Sequence, residues 1–242
     1  MDLSSIKIKS ERADDIPLIL ERLSTMNVQP LIDNHFLTHG NQAGISQGQV
    51  AVIWQTYILS RSDHRMHYVE DWVRTHRHTL EACTGQTIRP VDLSDDCLSH
   101  QLRRLSQDTR WKGFHQESVK TRVRTYRSEP EVARHDSTSV SSHSPVSEEG
   151  VIQTGFSKDR RPDSGQFKTV FSALDPSGLP SVVEIVPGNR ADGPLYVPAV
   201  ESVRAVSGGG PLHAGDCKTA AIDTRARIVD GKDDYLCLLP KI

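Results

Sequence analysis

Two short stretches hold the residue types best suited to chemistry: Arg134-His135-Asp136-Ser137-Thr138-Ser139-Val140 and Leu212-His213-Ala214-Gly215-Asp216-Cys217. Each sets one aspartate on, or just past, a short run of strand-forming residues. Carboxylates delivered by strands of one sheet are hard oxygen donors, the kind that hold Mg²⁺ while the ion keeps several of its waters. In phosphoryl transfer such an ion activates the attacking oxygen and stabilises the leaving one. Asp136 and Asp216 are therefore the candidate catalytic residues and metal ligands. A third carboxylate is expected further on, but no glutamate follows Asp216, and the later acids are Asp223, Asp230, Asp233 and Asp234.

The elements that must position this pair show in the hydrophobic period. Up to about residue 128 the pattern is helical. Asp14 or Asp15 can cap a helix with Pro17 in its first turn and Leu18, Leu20 and Leu23 inward. Ser46 can cap a second helix, whose Val50, Ile53, Trp54, Tyr57 and Ile58 recur at helical spacing. Further helices are predicted around Met66, Val69, Trp72 and Val73, around Leu98, Leu102 and Leu105, and around Trp111, Phe114, Val119, Val123 and Tyr126. The three tryptophans, Trp54, Trp72 and Trp111, fall among these apolar positions and are expected in the core.

From Val132 the pattern changes to short β-type runs: Val132 to Val140, Phe167 to Leu174 and Leu179 to Val186. Asp175-Pro176-Ser177-Gly178 reads as a hairpin turn, so the second and third runs should pair antiparallel. Leu195, Val197, Val200 and Val203 predict a helix that stops at Ser207-Gly208-Gly209-Gly210. A buried strand at Pro211 to Ala214, a helix from Thr219 to Val229 and a last apolar run, Tyr235 to Leu239, complete the chain. The order β-β-β-α-β-α-β argues for a mixed sheet flanked by helices. The fold class expected is α+β with α/β character: an all-α domain, residues 1–128, followed by a mixed-sheet domain, residues 129–242.

Overall charge is uninformative, with Lys+Arg 29 against Asp+Glu 31. Locally, the segment from His100 to Ser128 carries eight basic residues against two acidic ones. Arg103, Arg104, Arg122, Arg124 and Arg127 in it are candidate contacts to a nucleic-acid backbone. Cys83, Cys97, Cys217 and Cys237 form no C-x-x-C pair, and Met1-Asp2-Leu3-Ser4 does not open a secretory signal, so a reduced cytoplasmic protein is expected. The longest apolar run, Val50 to Leu59, falls well short of the roughly 20 residues that span a bilayer, which argues against a membrane role. His64 and His67 share a helix face, but no cysteine pair completes a zinc site with them.

Four C-terminal stretches in order, "HDSTSV" at Asp136, "GFSKDRRPD" from Gly155 to Asp163, "VPGNRADGPLYVPAV" from Val186 to Val200 and "GDCKTAA" from Gly215, carry a family resemblance. The stretch from Thr38 to Trp72 adds to it. Together they resemble the DDE transposases of bacterial insertion sequences, the insertion-sequence-four superfamily, whose catalytic domain is ribonuclease H-like. The resemblance implies a nuclease and strand-transferase that cuts DNA at terminal inverted repeats, joins the ends to target DNA and works as a homodimer. It gives Asp136 the first acidic position, bridging two Mg²⁺ ions, and Asp216 the second. Lys158, Arg160 and Arg161 would lie near the strand being cut, where arginine's bidentate fork suits phosphate.

The family's catalytic glutamate belongs to a tyrosine-arginine-glutamate-lysine signature beyond the fifth strand, and this sequence has none. The resemblance thus implies a C-terminally truncated, catalytically incomplete transposase with an apolar patch of its sheet uncovered. Two alternatives stand beside it. One is a stand-alone nuclease in which Asp163 or Asp192 supplies the third ligand; the other is a non-catalytic DNA-binding product that interferes with a full-length relative.

Overall fold

The structure, a computed structural model, describes residues 10–37, 44–156, 163–208 and 210–238. Gly209 of the expected helix stop, Leu239 of the expected last strand and the first residues of the Thr38–Trp72 stretch lie outside them. The chain divides into two compact units, Met1–Thr121 and Arg122–Ile242.

The first unit contains α1 (Ile16–Thr25), α2 (Val28–His35), α3 (Gln47–Arg61), α4 (Val69–Thr75), α5 (Arg77–Thr84), α6 (Asp95–Leu105) and most of α7 (Asp108–Thr125). α3 begins with a capping box: the Gln49 N–H donates to Ser46 Oγ (3.2 Å) and the Ser46 N–H donates to Gln49 Oε1 (2.9 Å). Its Val50, Ile53 and Tyr57 are buried in one apolar cluster with Trp72 and Leu80. In α1, Ile16, Leu20 and Leu23 are buried, whereas Leu18 is 63% exposed. At 100° per residue Leu18 lies some 200° around the helix from both Ile16 and Leu20, so it cannot share their face. Asp15 holds the N-cap position of α1 without capping it, since its carboxylate accepts from Ser60 Oγ instead. Trp72 is buried and Trp54 half-buried, but Trp111 is 38% exposed and rests against Phe114.

In the second unit, β1 (Val132–Ser141), β2 (Gln166–Asp175) and β3 (Leu179–Pro187) are followed by α8 (Tyr196–Ser207), β4 (Leu212–Gly215), α9 (Ile222–Asp230) and β5 (Tyr235–Cys237). The sheet order is β3-β2-β1-β4-β5, antiparallel between β1, β2 and β3 and parallel between β1, β4 and β5. This is an α+β unit with the mixed sheet and strand arrangement of the ribonuclease H-like fold. The β2–β3 hairpin turns at Asp175-Pro176-Ser177-Gly178, where Gly178 takes the left-handed φ of 64°.

The period-2 alternation of β1 sorts its side chains cleanly: Ala133, His135 and Ser137 are buried, while Arg134, Asp136 and Thr138 are exposed. Ala133 packs with Val170 and Leu174 of β2 and with Ala199 and Val203 of α8. Phe171, Val183 and Ile185, one residue out of phase with the buried positions, are exposed. Among the described residues no helix is long and apolar enough to cross a membrane.

Candidate functional site

β1 and β4 run parallel in a register that pairs Arg134 with Ala214 and His135 with Gly215. The next residue along each strand is an aspartate, so Asp136 and Asp216 leave the ladder level with one another, on strands spaced about 4.8 Å apart. Both line one open cavity of about 450 Å³, together with Arg134, Phe171, Ala173 and Gly215. Asp136 is exposed on β1 and accepts the Ser137 N–H at Oδ1 (2.8 Å).

Asp216 is held by the turn that follows β4. Its Oδ1 accepts the Lys218 N–H (2.8 Å), and its carbonyl accepts both the Thr219 N–H (3.1 Å) and Thr219 Oγ1 (2.5 Å). The turn closes so tightly over Gly215 that a Cβ there would meet Thr219 Cγ2 at 2.3 Å, so only glycine fits before this aspartate. The turn also displaces the helix start: α9 begins at Ile222, not Thr219, because residues 216–219 are spent in closing it.

Behind the aspartates, on the helix-covered face, lies a chain of buried polar groups. Ser172 Oγ sits 2.7 Å from His135 Nδ1, His135 Nε2 2.8 Å from His213 Nδ1, and His213 Nε2 3.2 Å from Asp233 Oδ2. Asp233 also accepts from Arg204 Nε (2.6 Å) and from the Gly210 N–H (2.8 Å). Burial tends to raise the Asp233 pKa, but Arg204, the Gly210 N–H and His213 outweigh it and hold the carboxyl below its ordinary range. Burial pushes His135 down to about 3, with His213 adding to the effect. His213 is also lowered by burial, against the opposing pull of Asp233.

These directions fix the proton order. A carboxylate only accepts, so His213 donates from Nε2 to Asp233 and leaves Nδ1 to accept from His135 Nε2–H. His135 Nδ1 in turn accepts the Ser172 hydroxyl. Every donor in the chain has an acceptor, which is the condition for burying such groups without a large penalty.

Three further side chains make contacts around the pair. The buried Tyr196 hydroxyl lies 3.2 Å from Ser137 Oγ. Burial pushes its pKa up to about 12; the Ser137 bond opposes this, while Asp216, Asp136 and Asp192 reinforce it. Lys168, on the buried face of β2, donates from Nζ to Asp192 Oδ1 and to the Arg190 carbonyl, both at 2.6 Å. Arg134 donates to Asp175 Oδ1 (2.7 Å) while lining the cavity.

The donor set fits a divalent cation: two level carboxylates with neither ion-paired among the described residues, and a cavity with room for bound water and phosphate oxygens. Among the described residues no group of three or more metal-ligating side chains converges.

The expected DNA contacts are not concentrated on one element. Arg103 and Arg104 occupy the last turn of α6, exposed and half-buried respectively. Arg122 and Arg124 occupy the last turn of α7, where burial lowers the Arg122 pKa and Arg124 is exposed; the exposed Arg127 follows that helix. Lys158, Arg160 and Arg161 lie outside the described residues. What sequence reasoning passed over is the His135–His213–Asp233 chain. Both histidines sit inside the two aspartate stretches, and strand alternation places His135 on the face opposite Asp136.

No family model matches the chain, and no curated protein matches it. Among solved structures it is similar to the Mos1 transposase paired-end complex with left transposon end, at 9% identity over 94% of this chain and 78% of that one, TM-score 0.31. The Mos1 mariner paired end complex with Mn is similar at 10% identity over 96% and 79%, TM-score 0.31. The Mos1 strand transfer complex is similar at 10% identity over 97% and 79%, TM-score 0.28.

Proposed function

We propose that this chain is a transposase of the DDE type, acting on DNA at the terminal inverted repeats of a mobile element through a divalent-cation site built on Asp136 and Asp216. The observation that carries the reading is the level exit of the two aspartates from the parallel β1–β4 ladder into one open cavity. The four motif stretches quoted above support it from the sequence side.

Asp136 and Asp216 would hold the cation, Mg²⁺ in the family's manner. Bound there, the ion supplies activation of a water or 3′-hydroxyl and neutralisation of the leaving oxygen. The chain's own groups do the rest. The Ser137 and Lys218 N–H groups orient the carboxylates, and Arg134 lines the cavity with donors suited to a DNA phosphate. The arginines at the ends of α6 and α7, with Lys158, Arg160 and Arg161, are assigned to the DNA backbone, and a homodimer would pair the two element ends. A second reading, cation and DNA binding without cleavage, is favoured by the absence of a third converging carboxylate among the described residues.

One experiment tests both readings. Supercoiled plasmid is incubated with the wild-type chain, Asp136→Asn and Asp216→Asn in Mn²⁺ or Mg²⁺, and Mn²⁺ binding is followed in parallel by electron paramagnetic resonance. Cation binding and nicking that both vanish in the two variants establish the enzymatic reading. Binding that depends on the aspartates, without nicking, establishes the second. Wild-type Mn²⁺ affinity in both variants overturns the metal site altogether.

A further inference from the structure

The buried polar chain has one property that packing alone does not require: it crosses between the two strands that carry the aspartates, immediately behind them. His135 precedes Asp136 on β1, and His213 lies three residues before Asp216 on β4. The two imidazoles meet edge to edge, with centroids 5.1 Å apart and planes 11° from parallel. One hydrogen bond, His135 Nε2 to His213 Nδ1, joins the strands through their side chains (2.8 Å). Ser172 anchors one end of the chain on β2, and Asp233 with Arg204 of α8 anchors the other just before β5. Ser172, His135, His213 and Asp233 are all at most 6% exposed.

The aspartate end of the β1–β4 ladder needs such a clamp. β4 is only Leu212–Gly215, the ladder stops at His135 and Gly215, and Asp216 already belongs to a turn. A short parallel ladder alone permits the strand ends to splay, which would separate two carboxylates that must meet at one ion.

We infer that the His135–His213 hydrogen bond is a positioning device for the cation site, setting the separation of Asp136 and Asp216 by clamping the ends of β1 and β4 from behind. This rests on the proposed metal site. His135 and His213 are positioning residues: their side chains are buried, and they act on the carboxylates through the strands.

The device is tested by Mn²⁺ affinity, read by electron paramagnetic resonance on the whole chain, with the thermal unfolding temperature recorded for each variant. Two substitutions at His213 divide its two bonds. His213→Asn sets an amide oxygen near the position of Nδ1, where it can accept from His135, and gives up Asp233. His213→Gln sets an amide nitrogen near the position of Nε2, where it can donate to Asp233, and gives up the bond to His135. The clamp predicts that His213→Asn binds Mn²⁺ within about 3-fold of wild type and that His213→Gln binds about 10-fold more weakly, the scale on which supporting residues tune metal affinity. Ser172→Ala removes a single hydroxyl from the same chain and should weaken binding by a smaller factor, about 2- to 5-fold, even if neither histidine variant folds.

If His213→Gln and Ser172→Ala, both folded, keep wild-type affinity, the clamp is overturned and the chain is structural only. If His213→Gln retains affinity while His213→Asn loses it, the bond to Asp233 governs the site and the inference is equally wrong. Should wild-type Mn²⁺ binding be insensitive to Asp136→Asn and Asp216→Asn, the failure belongs to the metal site, not to the clamp.

Discussion

The two units solve the problem of burial in opposite ways. In the helical unit the buried cluster around Ile16, Ile53, Leu80 and Leu98 is apolar throughout, and its buried polar side chains serve as caps and cross-links: Asp92 accepts from the Arg89 guanidinium, and Gln101 donates to the Gln47 carbonyl. In the sheet unit the face beneath α8 buries His135, His213, Asp233 and Lys168 beside a smaller apolar cluster of Ala133, Val170, Leu174 and Val182. An apolar cluster is tolerant of small shifts, because dispersion and area burial are not directional. A chain of hydrogen bonds is not, since each member requires a partner at one distance and one angle. The contrast teaches where this molecule needs definite geometry: directly behind the two aspartates.

Breaking the chain at its charged end should produce the largest effect. Asp233→Ala leaves Arg204 without its carboxylate and His213 Nε2–H without its acceptor, in a pocket where the Asp233 side chain is 1% exposed. Removing one partner of a buried charge pair costs about 3–5 kcal/mol. Urea denaturation followed by far-UV circular dichroism should show this loss. Tryptophan fluorescence should show much less of it, since Trp54, Trp72 and Trp111 all belong to the helical unit.

The converse substitution sharpens the same comparison. Ile53→Ala opens a cavity at a fully packed position of α3, 1% exposed, and should destabilise by about 3 kcal/mol. Here tryptophan fluorescence should move most, and the Mn²⁺ affinity of the chain should not change. Altered affinity would mean that the cation site depends on the helical core as well.

Much of this architecture is legible in the sequence. The capped start of α3, the hairpin at Asp175–Gly178 and the order of strands and helices after residue 132 follow from period and turn chemistry, and the aspartates stand out through their motif stretches. Other features do not follow, as three of them show. Leu18 has the right residue type but the wrong helical angle, and type is easier to see than angle. α2 carries Pro30 in its first turn and no long apolar period, so a helix of only Val28–His35 gives little signal. Asp233 looks like one more acid in a polar turn, because its partners, Arg204 and His213, lie 29 and 20 residues away and are brought to it only by the packing of α8 and β4. His135 sits between these cases, since alternation predicts its burial but not its partner.

Acid should separate the units next. His135 titrates at about 3 in the folded chain, against an ordinary 6.5. Its folded value is depressed, so the unfolded chain binds the proton first. The stability it lends is complete above pH 6.5 and declines as pH falls toward 3, at roughly 1.4 kcal/mol per pH unit once well below 6.5. His213 acts in the same direction, while the lowered carboxyl of Asp233 matters only below its ordinary 3.8. Between pH 7.5 and 5.0 the transition seen by circular dichroism should lose about 2 kcal/mol. The tryptophan-monitored transition should stay nearly fixed, and equal losses by both probes would show that the buried histidines do not dominate the acid response.

The smallest change, one hydroxyl, gives the finest discrimination, because each unit offers a serine with a defined task. Ser46 accepts the Gln49 N–H at the start of α3 and donates to Asp33 Oδ2 (2.7 Å). Ser172 is fully buried, and its hydroxyl donates to His135 Nδ1. Ser46→Ala should cost about 1 kcal/mol as a lost cap, and Ser172→Ala about 1 kcal/mol as a buried acceptor left unpaired. The two should therefore be nearly indistinguishable by stability. They should differ in what else they move, Ser46→Ala leaving Mn²⁺ affinity untouched and Ser172→Ala lowering it. Were both to leave it untouched, the polar chain behind Asp136 and Asp216 would be a core like the other one, built from more demanding parts.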